Sequence, residues 1–190
     1  VETLDVREFT AKLDQENSNA LYTVMMDMYS DKPIGEVSYQ RGECFLDYCS
    51  YFDRDGFKPG YRGLPAFGGV RSRIFWEGRG YEKKPPYLPK IPLIKWHSGL
   101  AYKSSTHSID GVRLAVATGV LLHFKLFDDF IERAFIETNR EEHWLNAAEY
   151  KIYVNGLASI KDSSLLYSGS VLYQDSSQLI DLGIMTGNAA

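Results

Sequence analysis

Two histidines carry the clearest chemistry in this chain. His123 closes the apolar run A-V-A-T-G-V-L-L and is followed by Phe124 and Lys125. His107 sits in K-S-S-T-H-S-I-D, where hydroxyls, a lysine and a carboxylate crowd one short stretch. An imidazole titrates near neutral pH, shuttles protons and ligates metals through its neutral nitrogen. With Lys125 two residues on, His123 could hold a metal or a phosphate. The plainer alternative for His123 is a core histidine bonded to backbone. For His107 it is a solvated turn, because Ser, Thr and Asp favour turns for local reasons.

Two other groups invite a chemical reading. D-R-D at 53–55 offers paired carboxylates, and hard divalent cations need oxygen ligands. An ordinary Asp-Gly turn accounts for the same residues. G-G-V-R-S-R at 68–73 lacks the Gly-Lys-Ser/Thr ending of a phosphate loop. Arg71 and Arg73, after a flexible glycine pair, could still reach a diphosphate, or simply face water. His97 and His143 earn less interest, His143 lying among surface charges. The chain has no G-x-S-x-G, H-E-x-x-H, Walker or G-x-G-x-x-G motif, so the matching hydrolase, metalloprotease, ATPase and dehydrogenase readings lose support.

The elements that must position these groups follow from periodicity. Leu4, Phe9 and Leu13 share a helical face, which predicts a helix over 3–16. Residues 20–29 read as a buried strand. A helix is expected over 42–52, then irregular chain over 58–90, with R-S-R-I-F-W as a short strand inside it. Strands are expected at 91–96, 100–102 and 113–124, the last two joined by a turn at Asp110-Gly111. Pro92 is tolerated only near a strand start or at an edge. Phe127, Phe130, Ile131, Ala134 and Phe135 predict an amphipathic helix over 127–139. A second helix over 142–155 uses Trp144, Leu145, Ala148 and Ile152, with Gly156 as its stop. The tail, 168–184, suggests one short strand and a turn of helix. These pieces make an α/β protein, and an imidazole at a strand-to-helix junction lies where such folds place ligands.

Composition narrows the classes. The 190 residues suffice for one large domain, and 44% hydrophobic with 24% charged is ordinary for a globular protein. A net charge of −4 argues against broad nucleic-acid binding, which needs a basic surface. Aromatics reach 14%, enough for a ring-rich core or for a ring-lined cleft suited to carbohydrate or nucleotide. Cys44 and Cys49 are the only cysteines. Their C-x4-C spacing, in an expected helix, matches no zinc pattern and builds no disulfide framework, which fits a reducing compartment. No signal peptide is visible, and the longest apolar run, 115–124, is too short to span a bilayer. The chain opens on Val1 directly before a helix-like segment, as a piece of something longer would.

The order of the motifs adds a resemblance. A strand ending M-D-M-Y-S-D precedes Y-F-D-R-D-G-F, G-G-V-R-S-R-I-F, K-I-P-L-I-K-W, S-S-T-H and V-L-L-H-F-K. This order resembles bacterial family-2-like glycosyltransferases of the GT-A fold. The resemblance implies a partial GT-A-like mixed sheet flanked by helices, with a helical C-terminal region. Residues 1–155 would be the carboxy-terminal, acceptor-side portion of the catalytic domain, and 156–190 an extension packed on it. The nucleotide-binding strands and Asp-x-Asp motif would lie before Val1, so the chain alone would be inactive.

The implied activity is transfer of a sugar from a nucleotide-sugar to a hydroxyl acceptor in polysaccharide or glycoconjugate synthesis. A divalent cation, manganese or magnesium, would neutralise the leaving diphosphate, and a carboxylate would deprotonate the acceptor. By the same resemblance His123 is the late histidine of the metal–diphosphate site. His107, Arg71, Arg73, Lys125 and Trp96 are donor- or acceptor-binding residues, and Asp53 is the carboxylate considered as base. The implied partners are nucleotide-sugar and carbohydrate, not nucleic acid. The implied location is the cytoplasm, extending to peripheral contact with the inner face of the membrane. A sheet cut short would expose an edge and favour a homo-oligomer. Two alternatives stay open: a non-catalytic carbohydrate-binding or scaffold module, and an unrelated α/β protein whose two histidines bind a structural metal.

Overall fold

The structure, a computed structural model, describes residues 5–140, 142, 144–157 and 160–187, with 144 and 145 as backbone only. The expectations for Leu4 and His143, and for the side chains of Trp144 and Leu145, lie outside the described residues.

Helix α1 (Val6–Gln15) starts where the Asp5 carboxylate accepts the backbone N–H of Arg7 and Glu8, satisfying donors that a helix start leaves orphaned. Strand β1 (Ala20–Met28) follows. Its residues are buried or half-buried on both faces, as in a central strand. It lies between β5 (Pro89–Ile94), antiparallel, and β8 (Leu114–Phe124), parallel. Three two-stranded ladders surround this small mixed sheet: β2 (Tyr51–Asp53) with β9 (Ser170–Leu172), β3 (Lys58–Pro59) with β4 (Pro65–Phe67), and β6 (Ala101–Ser104) with β7 (Ser108–Asp110). The other helices are α2 (Gly69–Phe75), α3 (Phe130–Arg140), α4 (Trp144–Leu157) and α5 (Ser176–Asp181). No described helix is long and apolar enough to cross a membrane.

The two largest of four buried clusters pack around the site. Met26, Met28, Cys49, Phe52, Phe127 and Leu179 form one. Tyr29, Val70, Phe75, Phe130, Ala134 and Tyr153 form the other. Each fully buried large side chain contributes about 1.5–3 kcal/mol. The Tyr153 ring meets the rings of Phe75, Trp76 and Phe130 edge-on, at 4.9, 5.6 and 5.2 Å. Gly156 does not stop α4, which runs on to Leu157. Its role is packing: a Cβ there would come within 2.6 Å of the Phe75 ring.

Three element expectations are corrected. The turn at Asp110-Gly111 does not join β6 to β8: β7 lies between them and pairs with β6. The segment 42–52 is not a helix; it holds one short 3-10 turn, Phe45–Asp47, and then β2. Its partner β9 is remote in sequence, so the pairing leaves no local trace. R-S-R-I-F-W is not a strand but the body and end of α2. Gly68, at φ 130°, turns the chain into that helix where a Cβ would lie 2.7 Å from the Gly56 carbonyl oxygen. Past α4, β9 pairs with β2 and Thr186 bonds Thr118 on the free edge of β8.

The cysteines fall in different settings. Cys44 is exposed, while Cys49 is buried with its thiol 3.8 Å from the Leu126 carbonyl oxygen. Burial pushes the Cys49 thiol up to about 12. A thiol-reactive disulfide reagent should therefore modify Cys44 alone in the native protein and Cys49 only after denaturation, because the thiolate is the nucleophile. Rapid native labelling of both would contradict this packing.

Candidate functional site

The site begins with register. β1 and β8 run parallel with Asp27 opposite His123, so both side chains leave the same face near the carboxyl ends of the strands. Asp27 Oδ1 lies 2.6 Å from His123 Nδ1, and Oδ2 accepts from Arg71 Nε at 2.7 Å. Burial alone would raise the Asp27 carboxyl; the Arg71 guanidinium, and after it His123, outweigh burial and hold it below its ordinary value. Opposite an ionised carboxylate, Nδ1 carries the hydrogen. His123 is partly exposed, and its Nε2 meets no described residue.

Arg71 extends the network. Burial disfavours its charge, but Asp27 more than compensates and raises the guanidinium above its ordinary value. Nη1 donates to Tyr153 Oη at 3.1 Å and to Glu149 Oε1 at 3.3 Å. The Tyr153 hydroxyl also donates to Glu149 Oε1. Lys125 Nζ lies 3.7 Å from that oxygen, and 4.6 Å from the ring centres of both Tyr150 and Tyr153. Burial first, then the Arg71 charge, pushes the Lys125 ammonium down to about 8. Every described polar contact of Glu149 therefore falls on Oε1 and leaves Oε2 unengaged.

Glu149 also lines a cleft of about 820 Å³. Phe67, Trp76 and Tyr87 supply its rings, Ser104 and Ser105 its hydroxyls, and Lys83, Lys84 and Lys103 its cations. His107 closes another part of the wall. Its Nε2 is 2.9 Å from Lys90 Nζ and its Nδ1 2.7 Å from the Pro89 carbonyl oxygen. An ammonium can only donate, so Nε2 accepts, Nδ1–H donates to Pro89, and the ring is neutral. Burial, and then the Lys90 charge, hold its titration below the ordinary value against the pull of that carbonyl.

The other expected site residues lie elsewhere. Asp53 accepts from Arg73 Nε and Nη2, both at 3.0 Å, and from the Tyr29 hydroxyl at 2.5 Å. Arg73 also donates to the Leu165 carbonyl at 2.9 Å and sits 4.0 Å from the Tyr167 ring centre. This is a clamp joining β2, α2 and the 165–170 segment. Asp53 is buried with both oxygens in use, so no lone pair faces an acceptor. The arginines part company because α2 is helical: residues two apart point about 200° apart around a helix. A strand would have aimed both at one ligand. Trp96 is exposed, stacks on Tyr102 at 5.7 Å, and lines a separate hollow with Asn19, His97 and Arg113.

Sequence reasoning passed over Asp27, Glu149 and Tyr153. A lone carboxylate inside the apolar run of β1 was a signal for the first. The i,i+4 spacing of Glu149 and Tyr153 was a signal for the other two. The fit to a divalent cation is poor. No group of three His, Cys, Asp or Glu able to hold a metal occurs among the described residues. His123 Nε2 is one open nitrogen, and both Asp27 oxygens are committed. Compared with protein-family profiles, curated proteins and solved structures, the chain shows no match.

Proposed function

We propose that this chain is the acceptor-side part of a nucleotide-sugar-dependent glycosyltransferase of polysaccharide or glycoconjugate synthesis, working in the cytoplasm or at the inner face of the membrane. One observation carries the reading. Among the described residues lining the cleft Glu149 is the sole carboxylate, with one oxygen anchored and no described hydrogen bond on the other.

The chemistry assigned to these residues is simple. An acceptor hydroxyl enters the cleft and its oxygen attacks the anomeric carbon of the donor. The bond from that carbon to the diphosphate oxygen breaks, and its electron pair leaves with the diphosphate. The acceptor proton passes to Glu149 Oε2. Arg71 and Tyr153 fix the carboxylate in one orientation, which provides the positioning such transfer needs. Ser104 and Ser105 offer hydrogen bonds to sugar hydroxyls, while the rings offer apolar faces. No step here runs through a metal.

The test is a donor screen on the full-length protein, with and without manganese or magnesium. Transfer from one nucleotide-sugar to a hydroxyl acceptor is expected. His123 reaches Glu149 only through Asp27 and Arg71 and is a positioning residue, so His123→Ala should cut that transfer by about 10²-fold through misplacement of the base with little loss of fold, because Asp27 keeps Arg71. Unchanged turnover in that variant removes His123 from the reaction, and absence of transfer from every donor overturns the enzymatic reading. The exposed Trp96–Tyr102 stack favours a second reading, a non-catalytic carbohydrate-binding module. Sugar binding that Trp96→Ala abolishes, without transfer in any assay, would select it.

A further inference from the structure

Charge is unevenly distributed along the cleft. The inner wall holds Glu149, with Trp76 buried and His107 half-buried. The outer wall holds Lys84 and Lys103, both exposed, beside Ser104 and Ser105. Lys83 stands next to Lys84, and its carbonyl accepts the Trp76 indole N–H at 3.1 Å, tying this wall to the core. Lys84 Nζ lies 5.7 Å from the Phe67 ring centre and meets no carboxylate among the described residues. Lys103 pairs with Asp110 at 2.8 Å, but both groups are more than half exposed, and such pairs hold their members weakly. Lys90 adds a cation behind His107.

These two ends suit one kind of ligand. At the inner end Arg71 and Lys125 are already engaged with the Glu149 carboxylate, and a hydroxyl there can donate to Oε2. An anion at the outer end meets lysines. We infer that the cleft binds a sugar acceptor with its reacting hydroxyl at Glu149 and an anionic group, phosphate or carboxylate, between Lys84 and Lys103. This rests on the transferase reading and narrows it to acidic or phosphorylated acceptors.

Binding of four probes to the full-length protein tests it, by calorimetry and by the fluorescence of Trp76 against a Trp76→Phe control. The probes are glucose 6-phosphate, glucuronate, glucose and inorganic phosphate. Glucose 6-phosphate and glucuronate should each bind about tenfold or more tighter than glucose at low salt, the worth of one charge-assisted hydrogen bond. High salt should shrink the margin, because exposed charges are screened. The exposed double variant K84E/K103E should abolish the margin while leaving glucose binding unchanged. If only one acidic sugar binds, the anionic group is thereby identified as phosphate or carboxylate.

Several results would overturn the inference: equal binding of glucose and both acidic sugars, no binding of any sugar, or inorganic phosphate binding as tightly as glucose 6-phosphate. A uridine diphosphate probe that needs the same two lysines would make the cleft a donor subsite instead. The two readings fail separately. Undiminished transfer to an acidic acceptor by K84E/K103E would sink the anion site and leave the transferase standing. Lysine-dependent binding without transfer from any donor would do the reverse.

Discussion

Asp27→Ala is expected to cost about 3–5 kcal/mol of stability, the toll of removing one partner from a buried ion pair. Native domains hold only about 5–15 kcal/mol in total, so the loss removes a large share of the stability. The reason lies with what remains. Arg71 is 3% exposed, and without Asp27 its guanidinium keeps only Glu149 and the Tyr153 hydroxyl. Its Nη2 is already sealed from solvent with no described partner. A urea titration measures the loss as a lower midpoint at unchanged slope. Within about 0.5 kcal/mol of wild type, the range of ordinary surface changes, the pair would not be a keystone.

The same pair sets an acid dependence, and its sign follows from Asp27. Its carboxyl titrates in the folded protein below the ordinary 3.8. The stabilisation it contributes is therefore complete above the unfolded value and lost as pH falls through the folded one. Wild-type stability should drop below about pH 4, and Asp27→Ala should lack this part of the drop.

Glu149→Gln tests the chemistry, not the fold. Transfer by the full-length protein should fall by about 10²–10⁴-fold, the usual worth of a positioned base. KM should move little, because the substituted amide keeps an oxygen that can accept from Arg71 and Tyr153 and occupies the same volume. The unfolding midpoint should stay near wild type for the same reason. A full rate in Glu149→Gln would transfer the role of base to another group. The Asp53 carboxylate is a poor substitute, since Arg73 and Tyr29 already occupy both its oxygens. The conservative Glu149→Asp change draws the carboxylate back by one methylene and should recover only part of the rate.

Local pattern was enough to locate several elements. The apolar runs of β1 and β8, the helical spacing of α3 and the short strand and helix of the tail all stand near their expected places. In each, the signal is the burial of neighbouring residues on a known period. His123 was visible as the end of an apolar run, although β8 is an edge strand with Val116 and Leu121 exposed. Where that period was weak, the reading failed. The seven residues of α2 are too few to display a face, and β2 is a strand because of a partner more than a hundred residues away.

The site belongs to the second category. Asp27, Arg71, His123 and Glu149 come from β1, α2, β8 and α4, and no spacing along the chain announces that they meet. Parallel register put Asp27 opposite His123; a slip by one residue would have sent the two side chains to opposite faces. Helical rotation sent Arg71 inward to Asp27 and Arg73 away to Asp53. Residue types and short-range periodicity determined which segments could be strands or helices and which groups could do chemistry. Tertiary packing alone decided which of those groups share a charge balance, because the free energy of a buried ion depends on partners that only the closed fold brings within reach.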